Sequence, residues 1–234
     1  MASQAAREGG KRAARAAAKE ALRALAGQAG ALEREAAAVQ RAVQRAGWWR
    51  GAATVGLYCH CERLLEVRTS ALLAAALAAG KRLYVPQVVD RHGGMRFLHL
   101  ADPAELRAAP PFGIPEPGPR YPDGRPREEL LGSGRELDVL VMPGLAFDVG
   151  GRRLGRGGGY YDAFLEQYLR AARDAGRQRP LLVALAYSAQ VIDAVPVEAH
   201  DIAVDVLVTG TGVFAGPGCP EGVDLPEVDG EPGT

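Results

Sequence analysis

One stretch limits what this 234-residue chain can become: residues 138–169, DVLVMPGLAFDVGGRRLGRGGGYYDAFLEQYL. Asp138 to Met142 is a short apolar run that suits a buried strand. Pro143-Gly144 ends it, and Phe147-Asp148 followed by Gly150-Gly151 continues as a loop. Beyond Gly157-Gly158-Gly159 the apolar residues fall at Tyr161, Phe164, Leu165 and Tyr168, which is helical spacing. A strand, a glycine loop and a helix start therefore follow one another. The first amides of a helix lack intrahelical partners, and the helix dipole favours negative charge there. Glycines let an anion approach the backbone without meeting a Cβ. Arg153 and Arg156 add forked donors matched to phosphate oxygens. Asp162, one turn into the helix, is badly placed beside bare phosphate and makes sense if Mg²⁺ lies between them.

The common phosphate signatures do not fit. Tyr160 and Tyr161 stand where a P-loop carries Lys and Ser/Thr, and Gly155, Gly157 and Gly159 do not form G-x-G-x-x-G. The rival reading is a glycine turn flanked by solvated arginines. Two arginines, two tyrosines and an aspartate within ten residues favour the anion site.

Other function classes lose support. Lys+Arg and Asp+Glu both number 28, with a pI near 6.9, so charge gives no reason to expect a nucleic-acid partner. No apolar run approaches the roughly 18 residues of a membrane span. There is no G-x-S-x-G, and Ser133 and Ser188 lack a recognisable His and acid partner. Cys59, Cys61 and Cys219 are too few for a disulfide framework. On a strand Cys59 and Cys61 would point away from His60, so buried reduced thiols are expected rather than a metal site.

Along the chain, residues 3–26 are alanine-rich and helical by propensity. Gly27 and Gly30 break that helix, and Ala31 to Ala46 form a second. Residues 1–50 hold ten Lys/Arg against four Asp/Glu, an excess of six. A solvated face, a targeting segment and a phosphate-facing helix all fit that excess. Lys11 and Arg15, at i and i+4, put two cations on one face. A strand at Ala53 to Cys61 precedes a helix from Ser70 to Ala79 with Thr69 as N-cap. Strands follow at Arg82 to Val88, where Pro86 marks an end or an edge, and at Met95 to Leu100. Asp102-Pro103 starts a short helix, and residues 110–126 form a proline-rich loop. Further strands lie at Pro180 to Ala186 and Val204 to Val208, and His200 reads as a surface residue. Residues 210–234 carry five acids and no Lys or Arg. A disordered, dispensable tail is expected there after an α/β domain spanning 1–210. The fold class is α/β: three αβα layers around a mostly parallel sheet of about six strands, after two N-terminal helices.

Pro143 to Asp148 (PGLAFD) followed by Arg152 to Asp162 (RRLGRGGGYYD) closely resembles 5-formyltetrahydrofolate cyclo-ligase, also called methenyltetrahydrofolate synthetase. The resemblance runs from about Lys11 to Val208, and its spacing is most similar to plant and algal members. It implies an ATP- and magnesium-dependent ligase that converts 5-formyltetrahydrofolate to 5,10-methenyltetrahydrofolate through a phosphorylated formyl group. A non-catalytic folate or nucleotide binder, or a sugar-phosphate isomerase on a similar sheet, are the alternatives.

Carried over by residue, the resemblance makes Arg153, Arg156 and Tyr161 catalytic. ATP falls to Lys11, Arg12 and Arg15 of a Lys-Arg-x-x-Arg pattern, and to Arg153, Leu154, Gly155, Arg156, Gly157, Gly158, Gly159, Tyr160 and Tyr161. The folate falls to Cys59, Phe112, the Gly157–Gly159 loop with Arg156, Tyr160 and Tyr161, and Glu66 of a Glu-x-x-Thr pattern. Mg²⁺ falls to Asp162 and Asp201. Gln87 stands where the family often has arginine. Small-molecule partners, a monomer and a cytoplasmic location are expected, with the mitochondrion as the alternative location.

Overall fold

Apolar runs three to seven residues long make the sheet, most of them parallel strands. The computed structural model describes residues 4–90, 93–110, 113–198 and 201–228, with side chains from Glu8 onward. Three helices come first: α1 (Gln4–Ala26), α2 (Ala31–Arg45) and the short α3 (Gly47–Gly51). Next are β1 (Thr54–Leu57), α4 (Ser70–Ala78), β2 (Arg82–Val88), β3 (Met95–Leu100), β4 (Leu106–Ala109) and β5 (Ile114–Pro117). Then come β6 (Val139–Met142), β7 (Ala146–Phe147), β8 (Arg153–Leu154) and α5 (Tyr160–Asp174). The last elements are β9 (Leu181–Ala186), β10 (Val206–Thr209) and β11 (Val213–Ala215).

The main sheet runs β11-β10-β9-β6-β1-β2-β3. Its five inner strands are parallel, and β3 and β11 close the two edges antiparallel. Every residue of β6 and β10 is buried, as expected for parallel strands covered on both faces. On one face Val55, Leu57, Val141 and Val183 pack with Val39 and Val43 of α2 and Leu72 of α4. On the other, Leu140, Met142, Leu182 and Leu207 pack with Phe164, Leu165 and Tyr168 of α5. Two carboxylates fix the register. Asp138 accepts the Ala53 and Thr54 amides at 2.7 and 2.8 Å. Asp205 accepts the Leu182 amide at 2.8 Å and both ends of its carboxylate take Arg179.

Three expectations are corrected. The segment expected to be a disordered tail from residue 211 supplies the seventh strand: Phe214 lies opposite Leu207 in the β10–β11 register. Farther on, Asp224 accepts the Gly47 amide at 2.9 Å, its carbonyl takes Trp48 Nε1 at 3.0 Å, and Arg45 donates to the Glu227 carbonyl. Three apolar residues and a cap on α3 hold what composition marks as unable to fold. The proline-rich stretch expected as a loop too long for a mere connector contains β5, paired antiparallel with β4. And β1 ends at Leu57, so Cys59, His60 and Cys61 lie beyond the strand. Thr69 stands at the N-cap position of α4 but makes no side-chain cap. Its hydroxyl donates instead to the Tyr58 carbonyl at 2.8 Å and ties that loop down. Pro86 falls past the three residues of β2 paired with β1, so its missing N–H costs no bond on that side.

Candidate active site

The site forms where the chain leaves the parallel strands at their C-terminal ends, the usual position in open α/β sheets. After β6, Pro143 and Gly144 enter the wall of a cavity of about 320 Å³. The chain then folds back as the β7–β8 hairpin. Asp148 shapes that turn by accepting the Gly150 and Arg152 amides through Oδ1, at 3.0 and 3.1 Å, and the Val195 amide through Oδ2 at 2.9 Å. Strand β8 delivers Arg153 into the cavity wall, and the glycine loop follows. Gly157 and Gly159 have φ of +105° and +69°, conformations that a side chain would strain. Gly159 is the last residue before α5, so the free amides of that helix open toward the cavity.

Arg153 has a side chain 5% exposed, and its Nη2 donates to Asp162 Oδ1 at 2.6 Å. Arg156 donates to the Leu64 carbonyl through Nη2. The Nε atoms of both arginines are buried, and among the described residues neither has a hydrogen-bond partner. Glu66 lies beside Arg156, Oε1 to Nε 3.7 Å apart, while its Oε2 accepts the Cys61 amide at 2.9 Å. Burial pushes the Glu66 carboxyl up, against the pull of that amide and of Arg156. Tyr161 lines the same cavity. Burial, then Glu66, raise its phenol well above the ordinary value, so it is a neutral donor at physiological pH.

Helix α1 closes the site from outside the sheet. Arg15 Nε donates to the Gly155 carbonyl at 3.0 Å, and its guanidinium carbon is 3.7 Å from where a Cβ on Gly157 would sit. Lys11 reaches Asp201 Oδ2 at 2.7 Å and Glu198 Oε2 at 3.4 Å. Arg12, between them, is exposed. The structure brings Arg15 onto the glycine loop, places Lys11 beside Asp201 and Glu198, and leaves Arg12 facing away, as the helical angle between neighbouring residues requires.

The other expected residues divide. Glu66, Arg153, Gly155, Arg156, Gly158, Gly159, Tyr160, Tyr161 and Asp162 line one cavity together with Cys59. Burial, then Glu116, push the Cys59 thiol up to about 12, so it contributes shape rather than nucleophilicity. Leu154 is buried in the core at 2% exposure, its carbonyl accepting the Leu145 amide at 2.8 Å in the β7–β8 hairpin, and it does not line the cavity. Tyr160 Oη donates to the Asp90 carbonyl at 3.1 Å, which brings the β2–β3 turn over the loop. Phe112 and His200 lie outside the described residues. Gln87 holds β5 onto β2, donating to the Pro117 carbonyl at 2.8 Å and accepting Arg96 Nε at 2.9 Å. Asp162 and Asp201 each have a cation in contact, Arg153 and Lys11 respectively. Among the described residues no three His, Cys, Asp or Glu gather in a metal-sized group.

Leu64, Val88, Met95, Ile114 and Glu116 also line the cavity and were not singled out in the sequence. The one local signal was Glu116 itself, an acid between two prolines in an otherwise apolar run.

Comparison with known proteins agrees with this architecture. Residues 7–210 match the model of the 5-formyltetrahydrofolate cyclo-ligase family. The mitochondrial 5-formyltetrahydrofolate cyclo-ligase of Arabidopsis thaliana is 42% identical over 183 residues, covering 75% of this chain and 66% of the relative. The mouse 5-formyltetrahydrofolate cyclo-ligase is 34% identical over 142 residues, covering 60% of this chain and 66% of the relative. The chain thus spans just under two thirds of the length of these relatives. Among solved structures, the 5,10-methenyltetrahydrofolate synthetase of Aquifex aeolicus superposes with a TM-score of 0.65 at 28% identity, covering 90% of this chain and 95% of that one. The chain belongs to the 5-formyltetrahydrofolate cyclo-ligase family.

Proposed function

We propose, with that membership as premise, that this protein converts 5-formyltetrahydrofolate to 5,10-methenyltetrahydrofolate, using ATP and releasing ADP and phosphate. One observation carries the reading. Arg153 and Arg156 lead into the glycine loop and line one cavity with it; among the described residues neither buried Nε has a hydrogen-bond acceptor, Arg156 Nε facing only Glu66 Oε1 at 3.7 Å. Leaving a buried donor unmet costs about 1–3 kcal/mol, a cost that a phosphoryl group between them would remove.

The chemistry follows from the substrate. A formamide carbon is a poor electrophile because its nitrogen lone pair is delocalised into the carbonyl. Ring closure on N10 also needs the formyl oxygen to leave, and hydroxide leaves poorly. Transfer of the γ-phosphoryl group to that oxygen solves both problems: N10 attacks the carbon, the C–O bond breaks, and phosphate departs with the oxygen. Such transfer needs positioning and charge stabilisation rather than a covalent nucleophile. In this reading Arg153, Arg156 and the Gly157–Gly159 amides hold the phosphates, with Lys11 and Arg15 added from α1. Tyr161 donates to the developing oxygen charge, and Glu66 with Arg156 positions the folate.

Magnesium would be held by Asp162 and Asp201, whose carboxylate oxygens are the donors this ion takes. Asp162 stands in the cavity wall, which suits an ion shared with a phosphate there. When bound, the ion would neutralise charge on the phosphates. The plant relative's mitochondrial name supports the mitochondrion over the cytosol as location.

The test is turnover. Purified protein with ATP, Mg²⁺ and 5-formyltetrahydrofolate should generate the near-ultraviolet absorbance of the methenyl product. Binding of both ligands without product would leave a non-catalytic binder. No binding of either would reject the reading.

A further inference from the structure

We propose that Glu116 reads the pyrimidine edge of the substrate's pterin ring, accepting hydrogen bonds from the ring N3–H and the 2-amino group. The inference rests on the functional reading above and names a contact within it.

Glu116 is 6% exposed and lines the cavity from β5, a different element from those that carry the arginines. Among the described residues it forms no ion pair. Arg107 stands opposite it in the β4–β5 register, but that guanidinium is directed to the Ala104 and Leu106 carbonyls. Burial raises the Glu116 carboxyl, with the Val88 amide as the one opposing contact. An acid kept in a buried wall without a cation is costly unless donors meet it.

The surroundings state which donors fit. Pro86, Val88, Met95 and Ile114 line the same cavity and offer apolar contact to the face of a flat ring. The nearby Cys59 is neutral, its thiol pushed up to about 12. A neutral aromatic ligand with two adjacent N–H groups on one edge matches a carboxylate oxygen for oxygen. A 2-amino-4-oxo pterin has that edge. Gln87 and Arg96 fix β5 against β2 through the Pro117 carbonyl, one residue from Glu116, so the carboxylate is held in place before the ligand arrives.

The experiment measures binding of 5-formyltetrahydrofolate by calorimetry without ATP. It is compared with the 2-desamino-2-methyl analogue, on wild type, Glu116→Gln and Glu116→Asp. Glutamine keeps the shape but turns one acceptor into a donor facing a donor. We expect Glu116→Gln to weaken the natural ligand roughly 10- to 100-fold, the range for hydrogen bonds to a charged group. The analogue should already bind wild type weakly and lose little more in the variant, and the KM for ATP should not move. Glu116→Asp should still prefer the natural ligand over the analogue. Binding by Glu116→Gln within twofold of wild type would overturn the assignment, as would equal losses for both ligands. Should the glutamine variant not fold, wild type alone decides: equal affinity for ligand and analogue overturns it. If wild type neither binds nor turns over 5-formyltetrahydrofolate, the functional reading itself has failed.

Discussion

Arg153 gives one end of its guanidinium to Asp162, Nη2 to Oδ1 at 2.6 Å, and keeps its Nε buried with no acceptor among the described residues. The pair joins β8 to the first turn of α5, so the arginine is half engaged and half waiting. If the carboxylate also serves magnesium, Asp162→Asn should raise the Mg²⁺ concentration for half-maximal activity by about tenfold or more, since an amide supplies no charge. Folate affinity measured without ATP should change little. Collapse of folate binding with an unchanged magnesium titration would move Asp162 into the folate pocket.

Arg156 should matter to turnover more than to folding. Removing one preorganised donor to developing charge costs about 10²–10³ in kcat, and Arg156→Ala should fall in that range. It should also retain a wild-type Tm to within a few degrees, because among the described residues its one hydrogen bond is to the Leu64 carbonyl, and burial outweighs its 3.7 Å contact in setting the Glu66 carboxyl. A variant with normal kcat and a lowered Tm would make the residue structural.

Glu66 gives a pH-dependent outcome. Its carboxyl is raised by burial, so the folded state holds the proton more tightly than the unfolded chain. The stabilising effect of that proton is full below the ordinary carboxyl value of 4.5 and is lost as pH rises through the raised one. Glu66→Gln keeps an acceptor for the Cys61 amide and removes the buried charge. Its Tm should exceed that of wild type at pH 8, with the difference shrinking toward pH 4, while kcat/KM for the folate falls at least about tenfold. A Tm lower than wild type at pH 8 would show that the pairing with Arg156 outweighs burial.

The last described segment is expected to matter for stability. Ending the chain at Gly210 removes β11 and the contacts of Asp224 and Glu227, and it leaves β10 as an open edge prone to pairing between molecules. Cross-strand pairs and hydrogen bonds of this number are worth about 2–4 kcal/mol, or a Tm lower by roughly 5–15 °C for a chain this long. An unchanged Tm measured by thermal unfolding would return the segment to the dispensable tail that its composition suggests.

How much of this was legible beforehand follows from where each signal resides. The glycine loop and α5 were readable because turn glycines and apolar residues at helical spacing are local facts. Strands such as Val139–Met142 were readable because burial on both faces leaves a continuous apolar run. What depends on a distant partner was not. Val213–Ala215 becomes a strand because β10 offers an unpaired edge, and nothing in three residues announces that. Arg12 and Arg15 look alike in sequence, yet the position of α1 on the sheet turns one to solvent and the other onto Gly155. Glu116 joins the cavity only because β5 folds against β2.

The fate of the formyl oxygen tests the central claim most directly. With 5-formyltetrahydrofolate labelled by ¹⁸O in the formyl group, each turnover with unlabelled ATP should place one label in inorganic phosphate and none in ADP, read by mass spectrometry. Label released into water, with unlabelled phosphate, would contradict phosphoryl transfer to the substrate and leave ATP hydrolysis as a separate event.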